Sequence, residues 1–565
     1  MPNIVTMPHT ANAFRFTRLT TTLTLALTLA AIPALVLAQT APDAGRLLQQ
    51  DRPAPTLPKA SPGIEIAPPV SAASLPGGTA VPLKAVLFSG NTLFSGVQLS
   101  AVVGDVTGKS FDLAGLQGLA QKVSAHYRAA GYPFARALIP EQKFADGVLQ
   151  IIVVEGRYGK VSTTGDARLA PAAQGFLSDL VPGSVIESAR LERSTLILDD
   201  QPGIKTTPLI RPGQELGTGD LVVDVSRTPA FKGDVGLDNQ GNRYTGEYRL
   251  HANLQWDSPF TLGDQITVRG NASDEGQWLG NLGYSLPLGS SGLRGNVGYA
   301  HSYYQLAQQF ASLNATGTAD IASVGVTYPL IRSQKTNLSF AATYQDKKLN
   351  DKQGAANTQS DKTSRVIPLA LQFDRRDGFA GGGITYGSLA YTTGELELDA
   401  ILKTADAASA QTQGSFDKWN LDLARLQATP VSNLTLFGRV SAQGAGKNLD
   451  SSEDFGLGGA NGVRAYPGGE GFGDEGWLAQ IEARYQMGSV APYAFYDGGQ
   501  VKTNKSPWAA GTNDRDLSGY GLGVRYNDKG WSMDAAVAWR DQGGKATSDT
   551  EDRNPRLWVT VGWRF

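Results

Sequence analysis

The sequence has no cysteine, and only four of its 565 residues are histidine. The absence of cysteine excludes disulfide bonds, thiolate catalysis and cysteine-ligated metals. The sequence also has no G-x-S-x-G motif, which argues against an enzyme such as a barrel lipase or a fused hydrolase. The histidines are dispersed without the spacing of metal ligands, at His9, His126, His251 and His301. We therefore predict no catalytic residue, no metal site and no cofactor.

Neither sign of charge is in excess, because 50 Lys and Arg residues face 52 Asp and Glu residues and the net charge is −2. This balance gives no overall field that would attract nucleic acid, so we expect no nucleic-acid partner. Long apolar runs are scarce as well. After residue 38, no run reaches the roughly 18 apolar residues of a membrane-spanning helix, so we expect none.

The one long apolar segment, Leu19–Ala38, is predicted to be the core of an export signal. Two arginines precede it, and the small residues Val36 and Ala38 suit a cleavage site before Gln39. A transmembrane anchor is the alternative, but the small residues and the proline near the end of the segment favour cleavage. We therefore predict a signal peptide over residues 1–38.

Two segments of different character follow the predicted signal. Residues 39–58 are polar to amphipathic and include Leu47 and Leu48, and we expect about two or three helical turns there. Residues 59–80 are rich in proline, alanine, serine and glycine. Because that composition is too poor in apolar residues to fold, the segment is predicted to be an extended linker.

A compact α+β pattern occupies residues 81–155, in the order strand, helix, strand, strand. Asp112 is predicted to cap the helix and Gly131 to end it. Residues 156–228 repeat the pattern more loosely, with a helix near Glu187–Asp199. The first helix has an apolar stripe predicted to face the core, at Leu113, Leu116, Leu119, Val123 and Tyr127.

Residues 229–565 consist almost wholly of strand patterns of about ten residues, separated by Gly, Asn, Asp and Ser. In "RLWVTVGWRF" one face is apolar and aromatic, with Leu557, Val559, Val561, Trp563 and Phe565. Backbone amides in hydrocarbon need partners, and a closed barrel provides them without a free edge. We therefore predict a transmembrane β-barrel of about 16 antiparallel strands, preceded by two α+β domains.

A soluble β-sandwich or propeller is the alternative. Aromatic residues near both ends of the apolar faces, and charged residues on the opposite faces, favour the membrane barrel. Short turns also alternate with long polar connections, one of them predicted over residues 346–365. This alternation is typical of outer-membrane barrels, which have short turns on one side and long loops on the other.

A glycine-rich stretch, "GANGVRAYPGGEGFGDEG", lies in a predicted long loop over residues 444–475, between the eleventh and twelfth strands. It carries one arginine, Arg464, between Val463 and Ala465, with Tyr466 just beyond. A loop of this length can fold back into the barrel. Alternatively, Arg464 lies in solvent at a loop tip.

A possible partner for the arginine lies two strands further on, in "APYAFYDGGQV". If Ala494 and Tyr496 face lipid, Phe495 and Asp497 point into the lumen. A carboxylate there needs water or a cation, and a guanidinium group can bind it through two hydrogen bonds. Pairing of Arg464 with Asp497 is therefore one of the two open interpretations of the loop.

Several motifs resemble those of one family. "GVRAYPGGEGFGDEG" resembles the VRGY loop of the TpsB transporters of two-partner secretion, the FhaC/ShlB/HecB-type outer-membrane pores related to BamA. "FYDGG" resembles the partner motif F-x-D-x-G of that family, here Phe495, Asp497 and Gly499. The chain departs from the family pattern at Ala465, where glycine is usual. Three further stretches resemble family motifs at domain boundaries, namely "EGRYGKV", "LILDDQPGI" and "DNQGNRYTGEYRL".

This resemblance covers essentially the whole chain and implies a domain organisation. Residues 81–155 and 156–228 would be POTRA domains, and residues 39–58 would contain a helix that occupies the pore. The loop 444–475 would enter the lumen of the barrel formed by residues 229–565. There Val463, Arg464 and Tyr466 would form the loop motif, with Arg464 paired to Asp497.

The resemblance also implies a function. The chain would lie in the outer membrane of a Gram-negative bacterium, with its POTRA domains in the periplasm. It would bind a secreted TpsA-type exoprotein, such as a haemolysin, haemagglutinin or adhesin, and translocate it unfolded. Its other partners would be outer-membrane lipid and, for biogenesis, periplasmic chaperones and the barrel-assembly machinery. A BamA- or TamA-like assembly factor is the alternative, although such proteins have more POTRA domains.

Overall fold

The computed structural model describes residues 41–50, 56–58, 77–144 and 146–565. The predicted signal peptide and most of the predicted linker lie outside the described residues. Within the described ranges, no helix is both long enough and apolar enough to cross a bilayer. The helices are α1 Ala44–Gln50, α2 Gly96–Val103, α3 Leu113–Ala129, α4 Ala170–Ala173, α5 Ser188–Asp199 and α6 Ala400–Ala407. Short 3₁₀ turns span Gln174–Leu177, Gln308–Leu313, Phe379–Gly381 and Ser451–Glu453.

The first α+β domain packs helices α2 and α3 against a three-stranded sheet. Its strands are β1 Val81–Pro82, β2 Ala85–Ser89, β3 Ser110–Phe111, β4 Arg136–Leu138 and β5 Val148–Val154. The sheet order is β2-β5-β4, with β2 parallel to β5, while β1 pairs with β3. The core between helices and sheet includes Leu83, Leu99, Leu116, Leu119, Val123, Tyr127, Leu149 and Ile151.

Helix α2 is absent from the predicted order of strand, helix, strand, strand, which was therefore wrong at this point. The helix starts with a capping box, in which the Ser95 side chain accepts from the Gln98 amide and the Gln98 side chain accepts from the Ser95 amide. In α3 the predicted cap is present, since Asp112 accepts from the Gly115 amide at 2.8 Å. Leu113, predicted on the buried stripe, is half-exposed because it lies in the first turn, outside the contact with the sheet.

The second α+β domain has strands β6 Arg157–Gly165, β7 Ile204–Pro212 and β8 Thr218–Arg227, in the order β6-β8-β7. Helices α4 and α5 pack on this sheet around a separate core that includes Leu177, Leu180, Ile186, Leu191, Leu198, Leu221 and Val223. The junction with the first domain is tied by a buried carboxylate. Glu155 accepts from the Leu93 amide, the Tyr127 hydroxyl and the Arg157 guanidinium, at 2.9, 3.1 and 3.0 Å.

Sixteen antiparallel strands close into a barrel, which confirms the predicted fold class. The barrel closes where β26 pairs with β9. The two remaining strands, β20 Phe455–Gly456 and β21 Phe472–Gly473, pair only with each other. The barrel strands are β9 Phe231–Asp238, β10 Arg249–Asp257, β11 Gln265–Ser273, β12 Trp278–Pro287, β13 Arg294–Gln305, β14 Ala315–Arg332, β15 Thr336–Gln353, β16 Thr358–Asp377, β17 Gly383–Leu398, β18 Gly414–Ala428, β19 Leu434–Ala445, β22 Glu475–Tyr485, β23 Val490–Lys502, β24 Asp514–Asp528, β25 Trp531–Arg540 and β26 Arg556–Arg564.

The outer wall of the barrel is apolar and the inner wall is polar, because successive side chains alternate between the faces of a strand. On β22, for example, Ile481 is exposed on the outer wall while its neighbours Gln480 and Glu482 are buried inside. Aromatic side chains are exposed near both rims, at Trp278, Trp419 and Trp477 on one side and at Phe231, Tyr485, Trp531 and Trp563 on the other. This is the pattern of a barrel embedded in a bilayer.

The connection predicted over residues 346–365 is not a long loop. Strands β15 and β16 continue through it, and only residues 354–357 form the turn. The polar side chains there made the segment look like a loop. Beyond the bilayer, however, a hairpin no longer needs an apolar face, and the backbone ladder can continue with polar residues.

The second domain contacts one end of the barrel, the end with the short turns. Arg332, at the end of β14, forms a bidentate ion pair with Asp200 just after α5, at 2.6 and 2.7 Å. Arg193 on α5 donates to the carbonyl of Pro329 at 2.8 Å. We call the end that contacts the second domain the domain end of the barrel. The opposite end, from which the long connections emerge, is called the far end.

Candidate functional site: a loop and a helix inside the barrel

The glycine-rich segment forms a connection over residues 446–474, here called the lumen loop, which starts at the far end of the barrel and folds into it. The structure assigns the flanking residues of the predicted loop 444–475 to strands β19 and β22. The short pair β20–β21 holds the two limbs of the loop together. At the tip, Val463 donates its amide to the Leu457 carbonyl at 2.8 Å, and the side chains of Val463 and Tyr466 are fully buried.

Arg464 lies at the loop tip and binds Asp497 on the barrel wall. Its Nε and Nη2 atoms donate to the two oxygens of Asp497 at 2.7 and 2.6 Å, and its backbone amide donates to Oδ2 at 3.1 Å. Asp497 is 0% exposed and Arg464 is 5% exposed. The arrangement is bidentate, a geometry that a lysine cannot reproduce. Of the two interpretations left open by the sequence, the structure therefore has the paired one.

A second carboxylate, Glu482 on β22, completes the site. Its Oε1 atom accepts from Nη1 of Arg464 at 2.6 Å, while Oε2 accepts from Arg484 at 2.7 Å and Arg525 at 3.1 Å. Arg525 in turn binds Asp534 at 2.8 Å. Three arginines and three carboxylates thus balance in charge across this network.

Two aromatic residues of the wall, the predicted Phe495 and also Trp558, contact Arg464. The Phe495 ring lies 3.6 Å from the guanidinium carbon of Arg464, within the range of a cation–π contact. On the opposite side of the loop, Trp558 donates its indole N–H to the Arg464 carbonyl at 2.7 Å. Both the side chain and the backbone of Arg464 are therefore fixed by the wall.

Gly499 allows the loop to approach the wall. A Cβ atom there would lie 2.3 Å from the Trp477 carbonyl oxygen and 2.6 Å from the Leu457 side chain. Ala465, where the family usually has glycine, faces Gly519 on β24. Its methyl group fits because Gly519 has no side chain, since a Cβ on Gly519 would lie only 2.4 Å from the Ala465 Cβ.

The short helix α1 also lies inside the barrel and rests on the lumen loop. Asp43, just before the helix, accepts from the Ser451 hydroxyl at 2.7 Å and lies 3.6 Å from Lys362 on β16. The amide of Ala44 donates to Asp351 at 3.0 Å. Gly45 allows the close approach, since a Cβ there would be 2.5 Å from the Ser451 Oγ atom.

Glu453 fixes the limb of the lumen loop that follows β19, residues 446–457, to the inner wall next to the helix. This carboxylate lies 2.5 Å from Lys347 and 2.8 Å from Lys418. Between helix, loop and wall there remains a cavity of about 370 Å³, lined among others by Gln49, Gln50, Asp422, Arg439 and Asn461. In the described part of the chain, no group of three or more acidic or histidine side chains is arranged to hold a metal ion.

The family resemblance predicted the Arg464–Asp497 contact, whereas the contacts of Glu482, Trp558 and Glu453 were not predicted. Strand patterns showed only that Glu482 and Trp558 face the lumen, and Glu453 lies in the loop, where no strand pattern applies. The signal that could have indicated Glu482 is its alternation with Ile481 on the predicted strand, which places it on the same inner face as Asp497 across the β22–β23 pair.

A closed antiparallel barrel with an apolar outer wall, a polar lumen occupied by a loop and a helix, and α+β domains at one end belongs to the class of outer-membrane transporter barrels. The chain belongs to the family of haemolysin secretion/activation proteins ShlB/FhaC/HecB, whose family model matches residues 217–526. A second family model, the ShlB-type POTRA domain, matches residues 81–156. The predicted resemblance to TpsB transporters is thus confirmed.

Individual relatives agree with this family. The heme/hemopexin transporter protein HuxB of Haemophilus influenzae is 27% identical over 454 residues, which cover 78% of this chain and 80% of that protein. The outer membrane transporter CdiB of Dickeya dadantii is 24% identical, over 83% of this chain and 85% of the relative. The solved structure of CdiB from Escherichia coli has the same fold, with a TM-score of 0.71 at 19% identity, over 89% of this chain and 94% of that one.

The family fixes the location and the general activity. The chain is an outer-membrane protein with its POTRA domain in the periplasm, as predicted, and its family comprises transport and secretion proteins rather than enzymes. Transporters of this family work with a secreted exoprotein partner. The domain end of the barrel is therefore periplasmic, and the lumen loop starts from the external side.

Proposed function

We propose that the protein binds a large TpsA-type exoprotein in the periplasm and passes it unfolded through the barrel to the cell surface. The observation that carries the proposal is the occupied lumen. A loop and a helix fill a polar channel and are held by contacts that can be broken without opening the barrel wall. Such an arrangement suits a conduit that is closed at rest and opens for a polypeptide.

Recognition of the exoprotein is assigned to the POTRA domain and to residues 156–228, which we propose form a second POTRA domain. Within the described residues, β2 pairs only with β5, whereas in the three-residue β4 the Ala137 amide already donates to the Ser124 hydroxyl of α3 at 2.9 Å. Strand β2 therefore presents a free edge to which an extended polypeptide can add as a further strand. Main-chain hydrogen bonds tolerate many client sequences, and the exposed Leu87 offers an apolar contact beside this edge.

Passage through the lumen requires that both α1 and the lumen loop leave the channel. The helix contacts the loop through Ser451, so departure of the helix removes part of the support of the loop. We propose that folding of the exoprotein outside the cell drives its movement, since the folded product cannot return through the channel.

The test is deletion of the gene in its own host, followed by mass spectrometry of the cell surface and the medium. We expect the loss of one large exoprotein, with other outer-membrane barrels at their normal level, and its return on complementation. A general loss of barrel proteins would instead support the assembly-factor alternative. An unchanged set of external proteins would reject the proposal.

A second experiment separates the pore from recognition. A variant that lacks residues 81–227 should still conduct ions in planar bilayers, because the barrel has its own hydrogen-bonded ladder. It should not secrete the exoprotein. Normal secretion by this variant would contradict the role assigned to the periplasmic domains.

A further inference from the structure

A second buried carboxylate of the lumen loop, Glu470, lies apart from the Arg464 site. Glu470 is 0% exposed and accepts from the Nη2 and Nε atoms of Arg515 at 2.6 and 3.0 Å. It also accepts from the amides of Thr547 and Ser548, both at 2.8 Å, and from the Thr547 hydroxyl at 3.0 Å. A fully buried carboxylate with five donors is a built site and not an incidental surface contact.

The donors belong to parts of the chain that Arg464 does not use for its ion pairs. Arg515 is on β24, while Thr547 and Ser548 are in residues 541–555, here called the external connection, which joins β25 to β26 outside the cell. Arg515 ties the two together, because it also donates to the carbonyls of Gly543 and Lys545 at 2.6 and 2.9 Å.

Tyr466 extends the same contact towards the loop tip. Its hydroxyl lies 2.7 Å from the Gln542 carbonyl oxygen and 3.0 Å from that of Gly544, both in the external connection. Within seven residues, from 464 to 470, the partner of the loop thus changes from the wall strands β22 and β23 to the external connection.

We propose that Glu470 and Arg515 are a second positioning pair, which seats the limb of the lumen loop that returns to β22, residues 467–474, and couples its movement to the external connection. Release of the Arg464–Asp497 pair alone would leave this limb in place. Complete clearance of the loop would then require displacement of the external connection as well. That consequence for secretion rests on the proposed function, whereas the positioning role itself does not.

The absence of cysteine from the sequence allows a direct test. A single cysteine replaces Gly468, a partly buried residue two positions before Glu470 at which a Cβ meets no atom closer than 3.9 Å, and its reaction with a membrane-impermeant maleimide is timed on intact cells. The backgrounds are wild type, Glu470→Gln and Arg515→Met. The matched control is Glu247→Gln, which breaks an ion pair of 2.9 Å between Glu247 and Arg553 of the same external connection without touching the loop.

We expect the labelling rate to rise about tenfold in Glu470→Gln and Arg515→Met. A tenfold change corresponds to about 1.4 kcal/mol in the equilibrium between the bound and the released loop. The control should stay close to the wild-type rate. Barrel assembly is checked by heat-modified migration in gels. If Glu470→Gln does not assemble, Arg515→Met decides, because it leaves the backbone donors to Glu470 in place.

Wild-type labelling rates in the assembled variants, with faster labelling in an Arg464→Ala background, would overturn the proposal. An equal rise of the labelling rate in the Glu247→Gln control would also overturn the proposal. It would mean that the external connection affects the loop without the contact to Glu470. Because labelling needs no exoprotein, failure of the proposed function would leave this readout unchanged. The two failures are therefore distinguishable.

Discussion

Replacement of Arg464 by alanine is the sharpest perturbation of the candidate site. Asp497, 0% exposed, would keep only the amide of residue 464 at 3.1 Å and the Gln480 side chain at 3.4 Å. Glu482 would keep two arginines, so the cost falls on Asp497. A buried carboxylate that loses its cation costs about 3–5 kcal/mol.

This change destabilises the position of the lumen loop inside the barrel. It does not destabilise the barrel itself, because hydrogen bonds between the backbones of its strands hold the wall together. We therefore expect Arg464→Ala to assemble at a normal level in the outer membrane but to secrete the exoprotein poorly and to show more frequent channel opening in planar bilayers. The double variant Arg464→Ala/Asp497→Asn removes the unpaired charge. It should restore most of the stability of the loop inside the barrel, so the channel should open less often than in Arg464→Ala. Secretion should stay low, because it needs the specific Arg464–Asp497 pair.

The matched control is Arg425→Ala. Arg425 also binds an aspartate in a bidentate manner, with Asp377 oxygens at 2.8 and 2.9 Å, but both residues lie on wall strands at the periplasmic end and do not touch the loop. Secretion by this variant should stay near the wild-type level. Normal secretion by Arg464→Ala, or an equal loss in Arg425→Ala, would refute the reasoning.

Two further predictions concern glycines at close contacts. Gly499→Ala should raise the frequency of channel opening, because its Cβ would lie 2.6 Å from the Leu457 side chain of the lumen loop, while Gly498→Ala, whose nearest neighbour is at 3.6 Å, should behave as wild type in the same recordings. Gly45→Ala should displace α1, since its Cβ would lie 2.5 Å from the Ser451 Oγ atom. Conductance should then rise with the barrel intact, and an unchanged closed state would show that the helix does not occupy this seat.

Much of the fold could be predicted because its rules are local. Alternation of apolar and polar residues reports which face meets lipid, and it gave the barrel and the strand number. The same rule placed Phe495 and Asp497 on the inner wall. It failed at residues 346–365, where no lipid face is required and a polar strand looks like a loop. Helix α2 was missed although its cap, Ser95 with Gln98, is readable from the sequence.

The candidate site was predictable only in part. The Arg464–Asp497 contact followed from motifs that resemble a known family, since spacing alone favoured a solvent-exposed arginine. Glu470 lay within the quoted loop, but nothing in its neighbourhood indicates that it meets Thr547 and Arg515. Those contacts join residues 45 or more positions apart in the sequence.

The amino-acid sequence by itself determined the class of structure, because a bilayer imposes the same requirement on every strand and each strand meets it through its own alternation. Which inner residues meet was decided by the tertiary structure alone. Barrel closure fixes the relative height of the strands, and the path of the lumen loop then selects one partner for each buried charge. A local pattern encodes neither the closure nor the path, so Glu482, Glu470 and the seat of α1 became visible only in the folded protein.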